Sequence, residues 1–282
     1  MSDEILQLYP TTGNRYPLEG LYLNEDLQTT KNLTENLAEN LTETFIYSNF
    51  VSSIDGRIAL PVAGKSSHQV PAATGNARDW RLFQELAAQA DLLISTARFF
   101  RQASAHEAQD NLPVGQGFPD LRQWRLAQGL KTQPDIAIFS ASLDIPVQAL
   151  EPYQHRKLYI FTGAGSDPKK RSQLARESHA DIILCGNGRG VDGNRLRATF
   201  NKLGYYAVYA VAGPRVFHTL VSANALDRLY LTTAQRLLGG QQFDTINWGE
   251  QLLPAIDMPL LSLYYDPTTP DNAGQTFAAY GK

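Results

Sequence analysis

The 282-residue chain has a single cysteine, and that scarcity removes several classes of protein at once. One thiol, Cys185, cannot form an intramolecular disulfide or build a cysteine-ligated zinc site. It closes the apolar run Ile182-Ile183-Leu184, where a buried, inert thiol is the expected state. The five histidines lack metal-ligand spacing, so no metal is expected. An excess of charge is missing too. A formal net charge of −3 gives no electrostatic basis for nucleic acid or an anionic membrane as a partner. No stretch approaches the roughly 20 apolar residues of a membrane span. The opening "MSDEILQLYP" lacks the basic flank and apolar core of a secretory signal. Neither a Gly-x-Ser-x-Gly elbow nor a Walker loop occurs, so hydrolase and kinase readings lose their support. What is left is a soluble cytoplasmic protein whose chemistry suits a cofactor that brings its own reactivity.

What is present is regular alternation. Residues 24–44, "NEDLQTTKNLTENLAENLTET", are polar and repetitive. Leu33, Leu37 and Leu41 lay either one apolar stripe on a short surface helix or part of a mobile tether. We therefore take 1–44 as an N-terminal extension and 45–282 as the main domain. From Phe45 onward, apolar runs rich in Ile, Val, Tyr and Phe recur: "TFIYSNFVS", "DLLIS", "DIAIFS", "KLYIFT", "DIILC" and "YAVYAVA". Helical patterns separate several of them, among them "NARDWRLFQELAAQA", "PKKRSQLARESHA", opened by Asp167 and Pro168, and "GNRLRATFNKLG", closed by Gly204. The helix "RVFHTLVSANAL" and the strands "RLYLTTA" and "LLSLYYD" come after them. This order predicts an α/β fold of three layers, a mostly parallel mixed sheet with helices on both faces. The last two strands, with little helix between them, predict an antiparallel edge.

Ligands of open α/β sheets sit beyond the carboxyl ends of the strands, so the loops there carry the candidate sites. "NFVSSIDGRIAL" breaks at Asp55-Gly56, for which a hairpin is the plain reading. Gly163-x-Gly165 and the run "LCGNGRGVDG" lack the spacing of a dinucleotide fingerprint and read first as loops. The basic run Lys169 to Arg171 is a solvated helix face or a partner for a 2′-phosphate. In "YAVYAVAGPRVFHTL" a strand runs through Ala212-Gly213-Pro214 straight into a helix. Free N–H groups there attract phosphate, and Arg215 adds a positive charge.

Three stretches in this order resemble one family, the reductase domain of riboflavin biosynthesis (the RibD C-terminal type), in its stand-alone branch without a deaminase domain. "NFVSSIDGRIA" is similar to its first strand and Ser-x-Asp-Gly turn. "RDWRLFQELAAQADLLIS" is similar to its helix and second strand, and "VAGPRVFHTLVSANALDRLYLTTAQRLLGG" to its cofactor loop, helix and strand. The resemblance implies a dihydrofolate-reductase-like fold, NADPH as cofactor, a homodimer, no metal, and hydride transfer to C1 of a ribosylaminopyrimidine phosphate. It places Ser52, Ser53, Asp55 and Gly56 on the nicotinamide side, with Asp55 holding the turn, and adds Thr96 to the cofactor site. Gly213, Pro214, Arg215 and Val216 take the pyrophosphate, and Asn49 and Ser66 meet the substrate. It names no catalytic acid or base.

The chain departs from the family pattern at four places. Thr96-Ala97-Arg98-Phe99 stands where Gly-x-Gly-Thr is usual, and no arginine for the substrate phosphate lies near Ala87. "RQASAHEAQDNLPVGQG" replaces an Asp-Asp-Pro segment, and Val211-Ala212 replaces an acidic residue and a glycine. The alternatives are accordingly a same-fold NADPH reductase with an unphosphorylated substrate, or a nucleotide-binding paralogue without turnover.

Overall fold

The computed structural model describes residues 4–28, 43–65, 67–269 and 273–281. The chain opens with β1 (Glu4–Tyr9) and β2 (Arg15–Pro17); β3 (Phe45–Ser53) leads to a small hairpin of β4 (Leu60–Pro61) and β5 (His68–Gln69). Helix Ala77–Gln89, β6 (Leu92–Thr96), helices Ala97–Ser104 and Pro119–Ala127, β7 (Asp135–Phe139) and β8 (Leu158–Thr162) come next. Helix Pro168–Glu177, β9 (Asp181–Leu184), helix Leu196–Leu203, β10 (Ala207–Ala210), helix Pro214–Ser222 and β11 (Arg228–Ala234) continue the alternation. β12 (Leu260–Asp266) and β13 (Gln275–Gly281) complete it.

Eleven strands form one sheet, in the order β2-β1-β12-β13-β11-β3-β10-β6-β7-β8-β9. From β11 to β9 every pairing is parallel. Strands covered on both faces read as near-continuous apolar runs, and all five residues of β7 and of β8 are buried, with Asp135 and Thr162 as the polar ends. Side-chain alternation divides the core into two layers. Tyr47, Leu93, Ile138, Ile160 and Tyr209 face the helices carrying Leu82, Leu86, Phe100, Leu121 and Leu174. Ile46, Ile94, Phe139, Phe161 and Val208 face Leu196, Phe200, Phe217 and Leu220. Helices thus cover both faces of a largely parallel mixed sheet, the predicted class.

Helix ends follow local chemistry. The Asn76 side chain accepts from the N–H groups of Arg78 and Asp79 at 3.0 and 3.1 Å, and Asp167 caps Lys169 and Lys170 ahead of Pro168. Gly204 ends its helix at φ 81°, which favours glycine. Arg125, 1% exposed, donates to the carbonyls of Ala88, Ala90 and Lys131 at 2.7–2.8 Å, joining helix Pro119–Ala127 to the C-terminus of Ala77–Gln89. Burial lowers its pKa to about 10, so it stays a cation there.

Three expectations change. The antiparallel edge is larger than two strands: β13 lies between β11 and β12, antiparallel to both, while β11 itself joins the parallel set. Asp55-Gly56 forms a tight turn, with Ser53 N–H donating to Arg57 O at 3.0 Å, but no ladder with β3 follows: Ile58 and Ala59 bond instead to Asp244. Residues 4–28 are built into the fold rather than appended. β1 pairs with β12, and Leu18, Leu21, Tyr22 and Leu27 enter the core. The stripe of Leu33, Leu37 and Leu41 falls outside the described residues.

Glu85 fastens this N-terminal segment. It is fully buried on helix Ala77–Gln89 and accepts from the N–H groups of Gly20 at 2.6 Å and Tyr22 at 3.1 Å, with Arg81 at 2.9 Å. Glu85→Ala strands two backbone donors and takes one of the two carboxylates from Arg81, which keeps Asp120, so it should lower stability by about 3 kcal/mol in urea unfolding. It should also speed proteolysis within 4–28; unchanged cleavage would show that the apolar contacts alone hold the segment.

Candidate functional site

Parallel pairing of β3, β10 and β6 sets their carboxyl ends side by side, and a cleft of about 1000 Å³ opens there. Its floor is Asn49, Phe50 and Val51 of β3, Ser95 and Thr96 of β6, and residues 211–214 after β10. One wall is the start of helix Ala77–Gln89, with Asp79, Trp80 and Phe83; the Trp80 and Phe83 rings stack at 4.7 Å. The β4–β5 hairpin and the segment Glu107–Pro113 close the sides.

Of the residues singled out from sequence, Asn49, Thr96, Gly213 and Pro214 meet in this cleft. Tyr209 donates its phenol proton to Asn49 Oδ1, which leaves the Asn49 amide nitrogen as a donor. Thr96 caps helix Ala97–Ser104, accepting weakly from Phe99 N at 3.4 Å. Gly213 is the N-cap of helix Pro214–Ser222, and no side chain caps that end.

Ser52, Ser53, Asp55 and Gly56 are placed differently: they do not line the cleft. Ser52, buried, donates to its neighbour's carbonyl at 2.9 Å. The Ser53 hydroxyl bonds Asp55 Oδ1 at 2.5 Å, and Asp55 also accepts from the N–H groups of Leu238 and Gly239. The Ser53 hydroxyl and the Gly239 amide hold the Asp55 carboxyl at about 2. Arg57 pairs with Asp55 at 3.2 Å and stacks on Phe243. Gly56, at φ 80°, lets the chain turn. The whole motif is a clasp between the end of β3 and the loop after β11. Arg215 lies over the Trp248 ring at 4.1 Å, and Val216 is in the core, both off the cleft lining. Ser66 falls outside the described residues.

The other glycine loops serve each other. The N–H groups of Gly163, Ala164 and Gly165 donate to the carbonyls of Arg189, Gly186 and Gly188. A Cβ at Gly163 would sit 1.9 Å from Gly188 O, so close packing of two loops requires that glycine. Arg171 of the basic run donates back to Ala164 and Ser166.

Sequence reasoning missed several lining groups. Ser67 is 4% exposed and its hydroxyl has no partner. His68 Nδ1 lies 3.4 Å from Asp244 Oδ2. Arg98 is the only lysine or arginine among the described lining residues. Asp79 is the least expected, because in the sequence it is one polar residue of a helical first turn. Burial pushes its carboxyl up to about 6 against the opposing hydrogen bond from Thr232, and among the described residues no cation pairs with it. Only the folding of helix Ala77–Gln89 over β11 reveals this. No group of three or more metal-ligating side chains occurs among the described residues, and no helix there is long and apolar enough to cross a membrane.

Comparison with known proteins fits this geometry. The profile of the RibD C-terminal domain family matches residues 44–263. A pyrimidine reductase-like protein from Corynebacterium diphtheriae superposes with a TM-score of 0.60 at 17% identity, over 90% of this chain and 98% of that one. RibD from Acinetobacter baumannii gives 0.58 at 18% identity, over 92% of this chain and 63% of that one. Riboflavin biosynthesis reductase from Saccharomyces cerevisiae gives 0.54 at 15%, over 92% and 98%. At these identities the likeness is one of fold. No curated protein matches by sequence.

Asp79 gives the site a measurable pH signature. Its folded pKa of about 6 exceeds the ordinary carboxylate value, so the folded state holds the proton more tightly than the unfolded chain. Stability should therefore fall as pH rises from about 4 to about 6, and the penalty of about 3 kcal/mol should persist above that. Asp79→Asn, which mimics the neutral acid, should be more stable than wild type at about pH 8 and lose that advantage near pH 4. Parallel melting curves at both values would reveal an unperturbed carboxyl.

Proposed function

The chain belongs to the RibD C-terminal domain family, and from that premise we propose that it is an NADPH-dependent reductase of the 5-amino-6-(5-phosphoribosylamino)uracil reductase type, acting in riboflavin biosynthesis as a cytoplasmic homodimer. The observation that carries this reading is the single cleft into which both Asn49 and the Gly213-Pro214 helix entry open.

The residues present fit a nicotinamide nucleotide. Gly213 has φ −73°, which any residue adopts, and a Cβ built there meets nothing within 4 Å. Neither backbone nor packing demands a glycine, so the open space before it suits the close approach of a ligand. An uncapped helix N-terminus favours a pyrophosphate at that point. Arg98, exposed in the first turn of the helix that follows the adjacent strand β6, adds positive charge to the cleft. Thr96 and Ala212 line the path between them. When bound, a reduced nicotinamide supplies a hydride to C1 of the ribose, opening it to a ribityl chain. The protein's part is positioning: the Asn49 amide donates to the pyrimidine or ribose, the Trp80–Phe83 wall packs against the ring, and closure of the cleft around both ligands excludes water.

One observation favours a second reading of the substrate. Asp79, Glu107, Asp110 and Asp244 line the cleft against the one arginine. With Arg98 assigned to the nucleotide, the rest of the lining offers a phosphate dianion little, which supports an unphosphorylated ribosylaminopyrimidine. The clasp residues Ser52, Ser53, Asp55 and Gly56 then support the site from outside it, as do Arg215 and Val216.

Gly213→Asp should abolish NADPH binding, followed by nicotinamide fluorescence, without unfolding the protein, since the new side chain enters open space and its charge opposes the pyrophosphate. Unchanged affinity would move the nucleotide elsewhere. Steady-state NADPH oxidation with the ribosylaminopyrimidine, offered with and without its 5-phosphate, tests the substrate. Turnover of neither form would refute the pyrimidine-reductase reading, and a higher kcat/KM without phosphate would select the second.

A further inference from the structure

Opening the ribosylamine gives a C=N bond, and its reduction needs a hydride at carbon and a proton at nitrogen. The proposed cofactor accounts for the first and leaves the second unassigned. Among the lining groups, Asn49 carries no titratable proton and Arg98 does not release one near neutrality. Glu107 and Asp110 stand on the 107–113 segment that closes one side of the cleft, where burial also raises Asp110, and Asp244 lies 3.4 Å from His68 Nδ1.

We propose that Asp79 is the catalytic acid of this cleft, delivering the proton to the substrate nitrogen as the hydride arrives at C1; this rests on the reductase reading above. The carboxyl O–H bond breaks, an N–H bond forms, and the Asp79 carboxylate is reprotonated from water. The geometry supports the role. Asp79 is 7% exposed, lines the cleft beside Trp80, and sits in the first turn of a helix capped by Asn76 and anchored through Glu85. Its partner Thr232 pairs across the sheet with Val51, two residues beyond the Asn49–Tyr230 pair, so the acid stands at the level of the β3 floor.

Burial favours its neutral form against the opposing hydrogen bond from Thr232, and among the described residues no cation pairs with it. From β10 comes the Tyr209 phenol and from the N-terminal segment the Tyr22 phenol, both raised by burial. Behind Tyr22 lie the acids Glu25 and Glu85. On its own helix, Arg78 turns to Asp266 at 2.7 Å and Arg81 to Glu85 and Asp120. From β11 only the Thr232 hydroxyl reaches it. A buried acid without a counter-ion among the described residues opposes folding at neutral pH, and a functional role explains its presence in a ligand cleft.

The test compares wild-type, Asp79→Asn and His68→Gln proteins with NADPH and the ribosylaminopyrimidine across pH. Wild-type kcat should fall as pH rises through about 6 to 7. Asp79→Asn should lose roughly a hundredfold or more in kcat and the pH limb with it, while NADPH affinity stays at the wild-type value. Carbon-13 NMR of labelled aspartate should show one carboxyl titrating near 6 in wild type and missing from Asp79→Asn. Loss of the pH limb in His68→Gln with retention in Asp79→Asn would transfer the role to His68 and overturn the proposal. So would an Asp79→Asn protein with wild-type kcat, or the absence of that NMR titration. Wild-type protein that oxidises no NADPH would overturn the reductase reading itself, and this assignment with it.

Discussion

The cleft depends on one constraint, the position of β3 between two parallel neighbours. Because β10 and β11 both hydrogen-bond to β3 in the same direction, the chain leaves all three strands at one end of the sheet. A parallel pair cannot be closed by a tight turn, so each strand must depart through a helix or a long loop. Asn49, the Gly213 entry and the clasp around Asp55 are consequences of where those departures fall. Leu238 and Gly239 hold the Asp55 turn, and beyond it the chain does not run back along β3 but exchanges backbone hydrogen bonds with Asp244 through Ile58 and Ala59.

The two ends of the cleft differ in their electrostatics. Toward β6 and the helix after β10, partial positive charge comes from backbone N–H groups and from Arg98. Toward helix Ala77–Gln89 the lining is aromatic, and burial raises the Asp79 carboxyl to about 6. On the proposed function, such a gradient would order two ligands in one space, an anionic nucleotide at one end and a neutral nitrogen-rich ring at the other.

Support for the acidic end comes from a distance. Glu85 binds the N-terminal segment, Tyr22 of that segment packs on Tyr230 at 4.7 Å, and Tyr47 stacks on Tyr209 at 4.9 Å below Phe83. Arg125 fixes the far end of the same helix. The wall that carries Asp79 and Trp80 is therefore held at both ends and from beneath, and residues 4–28 are part of the site's foundation even though none of them lines it.

Periodicity alone was enough for the scaffold. Apolar runs such as "KLYIFT" and "DIILC", separated by capped helical patterns, admit few arrangements besides a parallel sheet covered on both faces, because each local preference agrees with the global one. The Gly213-Pro214 entry was legible for the same reason, being a local strand-to-helix signal. Short strands at 4–9 and 15–17 were not, since their polar neighbours outweigh a few apolar residues until β12 offers an edge to pair with. The side on which a residue works also stayed hidden. Ser53 and Asp55 read as site residues and lie in a clasp off the cleft lining, while Asp79 reads as an ordinary first-turn acid and lies buried against Thr232. Hydrophobic pattern is a property of neighbouring residues and survives in one dimension; the desolvation of a single carboxyl depends on strands and segments dozens to hundreds of positions away, and only the folded chain brings them together.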